Sequence, residues 1–150
     1  MKRLSLLLFS WTLASCSAIA QSVPTKDSVL IKVDTALPKM EFLTKYHDFG
    51  KIKKGATPTY TFEFTNTGEG VLDIEIVSGC DCTDLDYTQK PVKKGEKGFV
   101  KATFNSNRAE PDEVNIGKPV NKVVTIVLKN TYPNGYPIVD ELKFDVQIDN

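Results

Sequence analysis

Two cysteines separated by a single residue are the feature of the sequence with the clearest potential for chemistry. Cys80 and Cys82 flank Asp81, and Gly79 precedes them. In an extended strand, residues two apart point the same way at about 6.6 Å, too far for a disulfide, so a disulfide requires a tight turn at Asp81. Closing so short a loop removes only about 1.6 kcal/mol of unfolded-state entropy. Such a disulfide would therefore be a weak staple.

The residues leave three roles open for this pair. The cysteines are structural and pack beneath a loop, or they exchange with other thiols, or they bind copper(I) or zinc as thiolates with Asp84 or Asp86 as weak oxygen ligands. The pair lacks the four-ligand spacing that is typical of zinc sites. A cofactor is expected only under the metal alternative.

The single histidine of the chain, His47, is predicted to have a structural role on an edge strand. If the strand at residues 46–52 runs antiparallel to the strand at residues 59–66, His47 lies about 16 Å from the cysteines, too far for a shared metal. With one histidine, no Gly-x-Ser-x-Gly segment and no glycine-rich phosphate loop, the sequence offers no familiar catalytic constellation. It therefore predicts a protein that is not an enzyme.

Composition points to one globular domain without a nucleic-acid partner. The chain has 150 residues, 19 basic and 19 acidic, and a formal net charge of zero. A chain of this length buries about two thirds of its unfolded surface as one domain. Since there is no basic excess to displace counterions, binding to nucleic acid is disfavoured.

Residues 1–20 have the pattern of an export signal. Lys2 and Arg3 precede an apolar stretch at residues 4–14, and Ala18, Ile19 and Ala20 form a small-x-small cleavage site. Alternatively, residues 13–16 resemble a bacterial lipobox, and Cys16 becomes a lipidated N-terminus. The mature protein is expected in the periplasm or cell envelope, with membrane attachment, as an outer-membrane lipoprotein, only if Cys16 is lipidated.

The elements that position these residues read as β-strands. Residues 59–65 alternate apolar and polar side chains, and residues 72–76 repeat the pattern with Leu72, Ile74 and Ile76 on one face, so the two runs are predicted to be antiparallel neighbours. Further strands are predicted at residues 40–42, 46–52 (bent at Gly50), 98–105, 119–129 (central) and 138–148. The predicted core is Phe62, Phe64, Leu72, Ile74, Phe104, Ile126 and Phe144.

No segment has a convincing helical period. About seven strands separated by glycine and proline turns predict an all-β, immunoglobulin-like β-sandwich over residues 40–150. Residues 21–39 are weakly patterned and are interpreted as an N-terminal tether.

Several short motifs, in order, resemble the bacterial domain of unknown function 1573 family. They are residues 47–50 (His-Asp-Phe-Gly), 62–68 (Phe-Glu-Phe-Thr-Asn-Thr-Gly), 80–83 (Cys-Asp-Cys-Thr), Pro91, and 95–96 (Gly-Glu). The resemblance implies an immunoglobulin-like envelope domain similar to the ASPM-SPD-2-Hydin and major-sperm-protein modules, without an implied activity. Asp81 and Lys94 depart from the glycine and proline that the family usually has there.

A candidate binding site follows if successive strands simply alternate in direction. The turns at residues 53–58 and 130–137 and the loop at residues 80–86 then share one end of the sandwich, and residues 66–70, 106–118 and the C-terminus share the other. Charged and aromatic loop side chains are typical of binding surfaces, and the expected partner is another envelope component. The candidate residues are Lys53, Lys54, Cys80, Cys82, Asp84, Tyr132 and Tyr136.

Overall fold

The computed structural model describes residues 36–150. The predicted export signal, the alternative lipidation at Cys16 and residues 21–35 of the predicted tether lie outside the described residues.

The described residues form a sandwich of two four-stranded sheets. Sheet A has the order β1-β3-β6-β5 and sheet B the order β2-β8-β7-β4. All neighbours are antiparallel except β2 and β8, which are parallel. The strands are β1 (Met40–Phe42), β2 (Tyr46–Lys53), β3 (Thr59–Asn66), β4 (Ile74–Ser78), β5 (Thr83–Tyr87), β6 (Lys97–Phe104), β7 (Val120–Thr131) and β8 (Pro137–Asp149).

The all-β sandwich predicted from the sequence is confirmed, and one core lies between the sheets. Alternation in β3, β6, β7 and β8 turns one set of apolar side chains inward, as a two-residue period requires. Every predicted core residue is buried. The central position of β7, between β8 and β4, is also as predicted.

The second run of the predicted central hairpin differs from expectation in two ways. β3 and β4 lie in different sheets, so they contribute to the same core without being hydrogen-bonded neighbours. A register shift between Ile74 and Ile76 then places Val77 in the core and leaves Ile76 50% exposed. One extra residue in a strand reverses the faces of everything that follows, which the uninterrupted alternation could not reveal.

Residues 83–87 form a strand where the sequence predicted a loop. Thr83, Leu85 and Tyr87 alternate with Asp84 and Asp86, and β5 pairs with β6 at the edge of sheet A. Asp84 and Asp86 made the segment resemble a loop, although its side chains alternate with the two-residue period of a strand.

Residues 36–39, assigned to the tether, pack onto the sandwich instead. The amide of Thr67 donates to the carbonyl of Lys39, and the amide of Gly70 donates to the carbonyl of Leu37. A side chain at Gly70 would collide with backbone atoms of Ala36 and Pro38, so glycine permits this close approach. The packed domain therefore begins before residue 40.

The parallel pairing of β2 with β8 determines which loops meet. β2 bends at a register shift between Asp48 and Lys51, where Gly50 has a φ of 66°. Because β8 runs in the same direction as β2, its C-terminal part reaches the level of residues 53–58, and the amide of Lys54 donates to the carbonyl of Asp149. Strand direction alternates from β2 to β8, as predicted, and β8 is parallel to β2 because it comes six strands later. β5 was not predicted, however, and this additional strand moves every later loop to the opposite end.

The loops divide between two ends of the sandwich, the cysteine end and the hairpin end. The cysteine end carries residues 53–58, the turn at Cys80–Cys82, the segment from residue 105 to 118 and the C-terminus. The hairpin end carries residues 66–70 and the β7–β8 hairpin at residues 131–137. The prediction that residues 106–118 and the C-terminus lie away from the cysteines is wrong.

Candidate functional site

The two cysteines form a disulfide within a tight turn. Their Cα atoms are 5.1 Å apart, and the amide of Thr83 donates to the carbonyl of Cys80 at 2.9 Å. The disulfide therefore uses the tight turn at Asp81 that the sequence required of any bridge between these residues. The turn joins β4 of sheet B to β5 of sheet A, so the disulfide lies where the chain crosses between the sheets.

The two sulfur-bearing residues differ in their exposure. Cys82 is 4% exposed and belongs to the core, whereas Cys80 is partly buried between the exposed Gly79 and Asp81. The hydroxyl of Thr83 lies 3.2 Å from Sγ of Cys80 and 3.9 Å from Sγ of Cys82. Since disulfide sulfurs carry no proton, this hydroxyl is the donor. Cys80 is thus the more exposed of the two cysteines, and one hydroxyl lies near both sulfurs.

A corner next to the disulfide anchors the turn at residues 53–58. The amide of Asn105 donates to the carbonyl of Cys82 at 2.8 Å, and the next residue, Ser106, is fully buried. Oγ of Ser106 donates to the carbonyl of Ala56 and accepts from the amide of Gly55, both at 2.8 Å. This corner brings the cysteine turn and residues 53–58 together, as the sequence predicted.

Three charged residues of the candidate site are also at the cysteine end. Lys53 and Lys54 are exposed at the end of β2 and in the following turn. Asp84, at the start of β5, forms an ion pair with Arg108 at 2.7 Å, and both side chains are largely exposed. Exposed ion pairs contribute little stability, so this pair mainly orients the two side chains. Arg108 is a neighbour that the sequence did not reveal.

The two tyrosines of the candidate site lie elsewhere. Tyr132 and Tyr136 belong to the β7–β8 hairpin, where the amide of Tyr132 donates to the carbonyl of Tyr136. This hairpin is at the hairpin end, opposite the cysteines. The predicted seven-residue site is therefore wrong as a single surface: it divides into a cysteine group and a tyrosine pair. Tyr136 is 70% exposed and Tyr132 is 43% exposed.

His47 packs in an aromatic cluster. Its ring stacks on Tyr60 with centroids 3.7 Å apart and meets Phe49 edge-on at 4.7 Å. Burial lowers the pKa of His47 below its usual 6.5, and the charge of Asp48 opposes this with a smaller effect. β2 and β4 are opposite edges of sheet B, about three strand spacings or roughly 14 Å apart. His47 is farther than this from the cysteine turn, because it lies near the start of β2 and the turn is level with the end of that strand.

Metal binding at Cys80 and Cys82 requires the reduced thiolates, because a disulfide has no free thiolate to offer. Within residues 36–150, no group of three or more His, Cys, Asp or Glu side chains is arranged to hold a metal ion. The copper or zinc alternative stays a prediction for the reduced protein, with the two sulfurs as its ligands.

An apolar row on the outer face of sheet B was not predicted from the sequence. Ile76 pairs with Val127, and Val127 pairs with Val139, so the three side chains lie side by side across β4, β7 and β8. Ile76 and Val139 are 50% and 48% exposed. The apolar second face of β7 was the available signal, but it was taken to mean that both faces of the strand are buried.

A model of one protein family matches residues 40–135 of the chain, and its description is "Protein of unknown function (DUF1573)". The chain belongs to this family. Membership in the DUF1573 family confirms the resemblance that the short motifs indicated, and the description assigns no activity. No curated protein sequence matches the chain significantly.

Solved structures resemble this DUF1573 domain at low sequence identity. A protein of unknown function from Porphyromonas gingivalis W83 aligns with 75% of the chain at 15% identity and a TM-score of 0.55. The alignment covers 46% of that protein, so the chain spans about half of its length. PapD-like domain 7 of human CEP192, an ASH/PapD-like domain, aligns over 73% of this chain and 84% of its own, at 11% identity and a TM-score of 0.55. These likenesses establish the immunoglobulin-like fold.

The described part of the DUF1573 chain contains no helix of the length and apolarity needed to cross a membrane.

Proposed function

We propose that this DUF1573 protein is a non-catalytic, immunoglobulin-like module of the bacterial cell envelope that binds or positions another envelope protein. The apolar row formed by Ile76, Val127 and Val139 is the observation that carries the proposal. Ile76 and Val139 are exposed and Val127 between them is half-buried. A contiguous apolar set on the surface is typical of a site that another protein covers.

The position of the apolar row supports a protein partner. The same two strands continue from Val127 and Val139 into the β7–β8 hairpin, where Tyr132 and Tyr136 are exposed. Tyrosine combines a large apolar ring with a polar tip and is enriched at protein interfaces. Aliphatic residues at the centre with tyrosines beyond them match the composition of a binding surface.

Export to the envelope is supported by the leader pattern at residues 1–20 and by the Cys80–Cys82 disulfide. Disulfides persist mainly in oxidising compartments. Soluble release after Ala20 and lipidation at Cys16 are both compatible with this location.

Site-specific photo-crosslinking in cells tests the binding surface. A photoreactive amino acid at Val139 should give a discrete adduct in the envelope fraction, and the same residue at Thr61, exposed on the outer face of sheet A, should not. Ile76→Glu in the Val139 probe should remove the adduct while the melting temperature changes little, because position 76 already faces solvent. Equal adducts from positions 139 and 61, or none from position 139 in correctly exported protein, would contradict the proposed surface.

Export is tested separately by fractionation. The full chain should be recovered from the periplasm or outer membrane without its leader. Retention of an unprocessed chain in the cytoplasm would contradict the location and leave the crosslinking result to be judged independently.

A further inference from the structure

The Cys80–Cys82 disulfide does not connect distant parts of the fold. Its half-cystines are two residues apart, and their turn is already held by backbone hydrogen bonds from Thr83 to Cys80 and from Asn105 to Cys82. Neither hydrogen bond involves sulfur. Breaking the S–S bond therefore leaves the turn and its anchor to sheet A in place, and the folded domain can exist in both redox states.

Access to the disulfide is possible from one side. Thiol–disulfide exchange begins when a thiolate attacks one sulfur and expels the other through a mixed disulfide. Cys80 is partly exposed, and its neighbours Gly79 and Asp81 are exposed, whereas Cys82 is packed in the core. An external thiolate consequently reaches Cys80, and Cys82 is the leaving thiolate.

Thr83 is placed to assist that departure. Its hydroxyl lies 3.2 Å from Sγ of Cys80 and 3.9 Å from Sγ of Cys82. As negative charge develops on the Cys82 sulfur, the same hydroxyl can turn toward it and donate a hydrogen bond, which stabilises a thiolate in a poorly solvated position. The backbone turn fixes this hydroxyl beside both sulfurs.

We propose that this turn is a thiol–disulfide exchange site whose substrate is a thiol, either a small thiol or a cysteine of another exported protein. In the first step an RS⁻ thiolate bonds to Sγ of Cys80, the S–S bond breaks, and its electron pair leaves on Cys82. In the second step another thiolate attacks the substrate sulfur of the mixed disulfide and releases Cys80. Overall, the disulfide and two RSH give two protein thiols and RSSR, so the protein is reduced by two electrons and the substrate is oxidised.

The asymmetry is tested in full-length protein carrying Cys16→Ser, so that only Cys80 and Cys82 react. With glutathione disulfide, Cys82→Ser should form a mixed disulfide at Cys80 at least about ten-fold faster than Cys80→Ser forms one at Cys82, since burial protects the second thiol. Intact mass and peptide mapping identify the adduct. Equal rates would overturn the proposed attack at Cys80.

Reduction of the disulfide itself is measured with glutathione and, separately, with reduced unfolded ribonuclease A as a protein dithiol. The reduction rate should be unchanged by urea below the unfolding transition, because local exchange does not expose the core. Whichever reductant reacts, glutathione or the protein dithiol, identifies the class of thiol that is the substrate. A rate that rises with urea as steeply as global unfolding, or reduction that abolishes the folded circular-dichroism spectrum, would show a structural bridge and overturn the proposal.

The role of Thr83 is tested with near-isosteric variants. Thr83→Val should slow reduction of the disulfide by glutathione several-fold at every pH, and in the reduced protein it should move the pH profile of Cys82 alkylation upward, while the melting temperature changes little. Thr83→Ser should restore both wild-type properties. If Thr83→Val exchanges at the wild-type rate, the Thr83 hydroxyl has no role in the reaction. None of these measurements depends on the apolar row, so the binding function and the exchange function can fail separately.

Discussion

Phe64 and Gly98 face each other across β3 and β6, and this pair gives the sharpest test of the core. Phe64 is 1% exposed, and its ring centroid lies 5.4 Å from that of Phe42. A Cβ atom added at Gly98 would lie 2.8 and 2.9 Å from two ring carbons of Phe64, and nearer still to Cζ. Carbon atoms pack best at about 3.5–4.0 Å, so the ring occupies the space that the glycine leaves.

The energies of the two single variants follow from this contact. Phe64→Ala should cost about 3–5 kcal/mol, because a buried aromatic cavity is not refilled. Gly98→Ala must displace the ring, and overpacking of this kind costs about 1–3 kcal/mol, offset in part by the roughly 0.5–1 kcal/mol that a strand gains when glycine is replaced. In the double variant the new methyl group enters the vacated space. Its cost should therefore fall below the sum of the single costs by about 1–3 kcal/mol.

Equilibrium unfolding in urea measures all three variants, with an unchanged slope against urea as the sign that the comparison is valid. Gly79→Ala is the matched control, because a Cβ there meets its nearest neighbours at 3.5 Å, and it should change stability by less than about 1 kcal/mol. Additive costs in the double variant would refute the packing argument. A loss below about 1 kcal/mol for Phe64→Ala would place that residue outside the core.

Three further predictions concern other parts of the chain. Because burial lowers the pKa of His47, the unfolded state takes up its proton at a higher pH than the folded state, so stability should fall as the pH drops below about 6.5, and the fall should be smaller in His47→Gln when urea midpoints are compared at pH 7.5 and 5. The fully buried side chain of Asn66 accepts from the amides of Lys39 and Gly68 and donates to the carbonyls of Gly70 and Val92. Asn66→Asp keeps the shape but loses both donors, so it should cost at least about 2–3 kcal/mol, and wild-type stability in this variant would contradict the network. Secreted protein should begin at Gln21 by intact mass, whereas an N-terminal acylated Cys16 would establish lipidation instead.

Local patterns carried most of the strand prediction. In β3, β7 and β8 the alternation is long and regular, so face and burial follow directly from a period of two. β5 was missed because its two exposed aspartates, next to a cysteine turn, have the composition of a loop. Pairing with β6 supplied the stabilisation that the local sequence lacks.

The prediction of the candidate site depended on the number of strands that separate its loops. Residues 53–58 join β2 to β3, and the cysteine turn follows β4. All three strands were predicted, so the contact between these two turns was predicted correctly. The tyrosine hairpin was misplaced because β5 was not predicted: one additional strand between the cysteine turn and β6 moves each later turn, including residues 131–137, to the opposite end. The bulge that exposes Ile76 could not be predicted either. Ile76 and Val77 are both apolar, so the sequence is equally compatible with either side chain facing the core.

The pairing of β2 with β8 also constrains the order in which the domain folds. Lys53 pairs with Asp149, so β2 has no hydrogen-bonded neighbour in its sheet until nearly all of the described residues have been synthesised. Contacts so distant in sequence pay loop-closure entropy before they are stabilised, and they slow folding. During that interval β2 is an unpaired strand beside a core that β3 and β6 can already begin to form from residues 59–104. The chain therefore has a built-in delay, during which the newly synthesised polypeptide stays incompletely folded until β8 has been made.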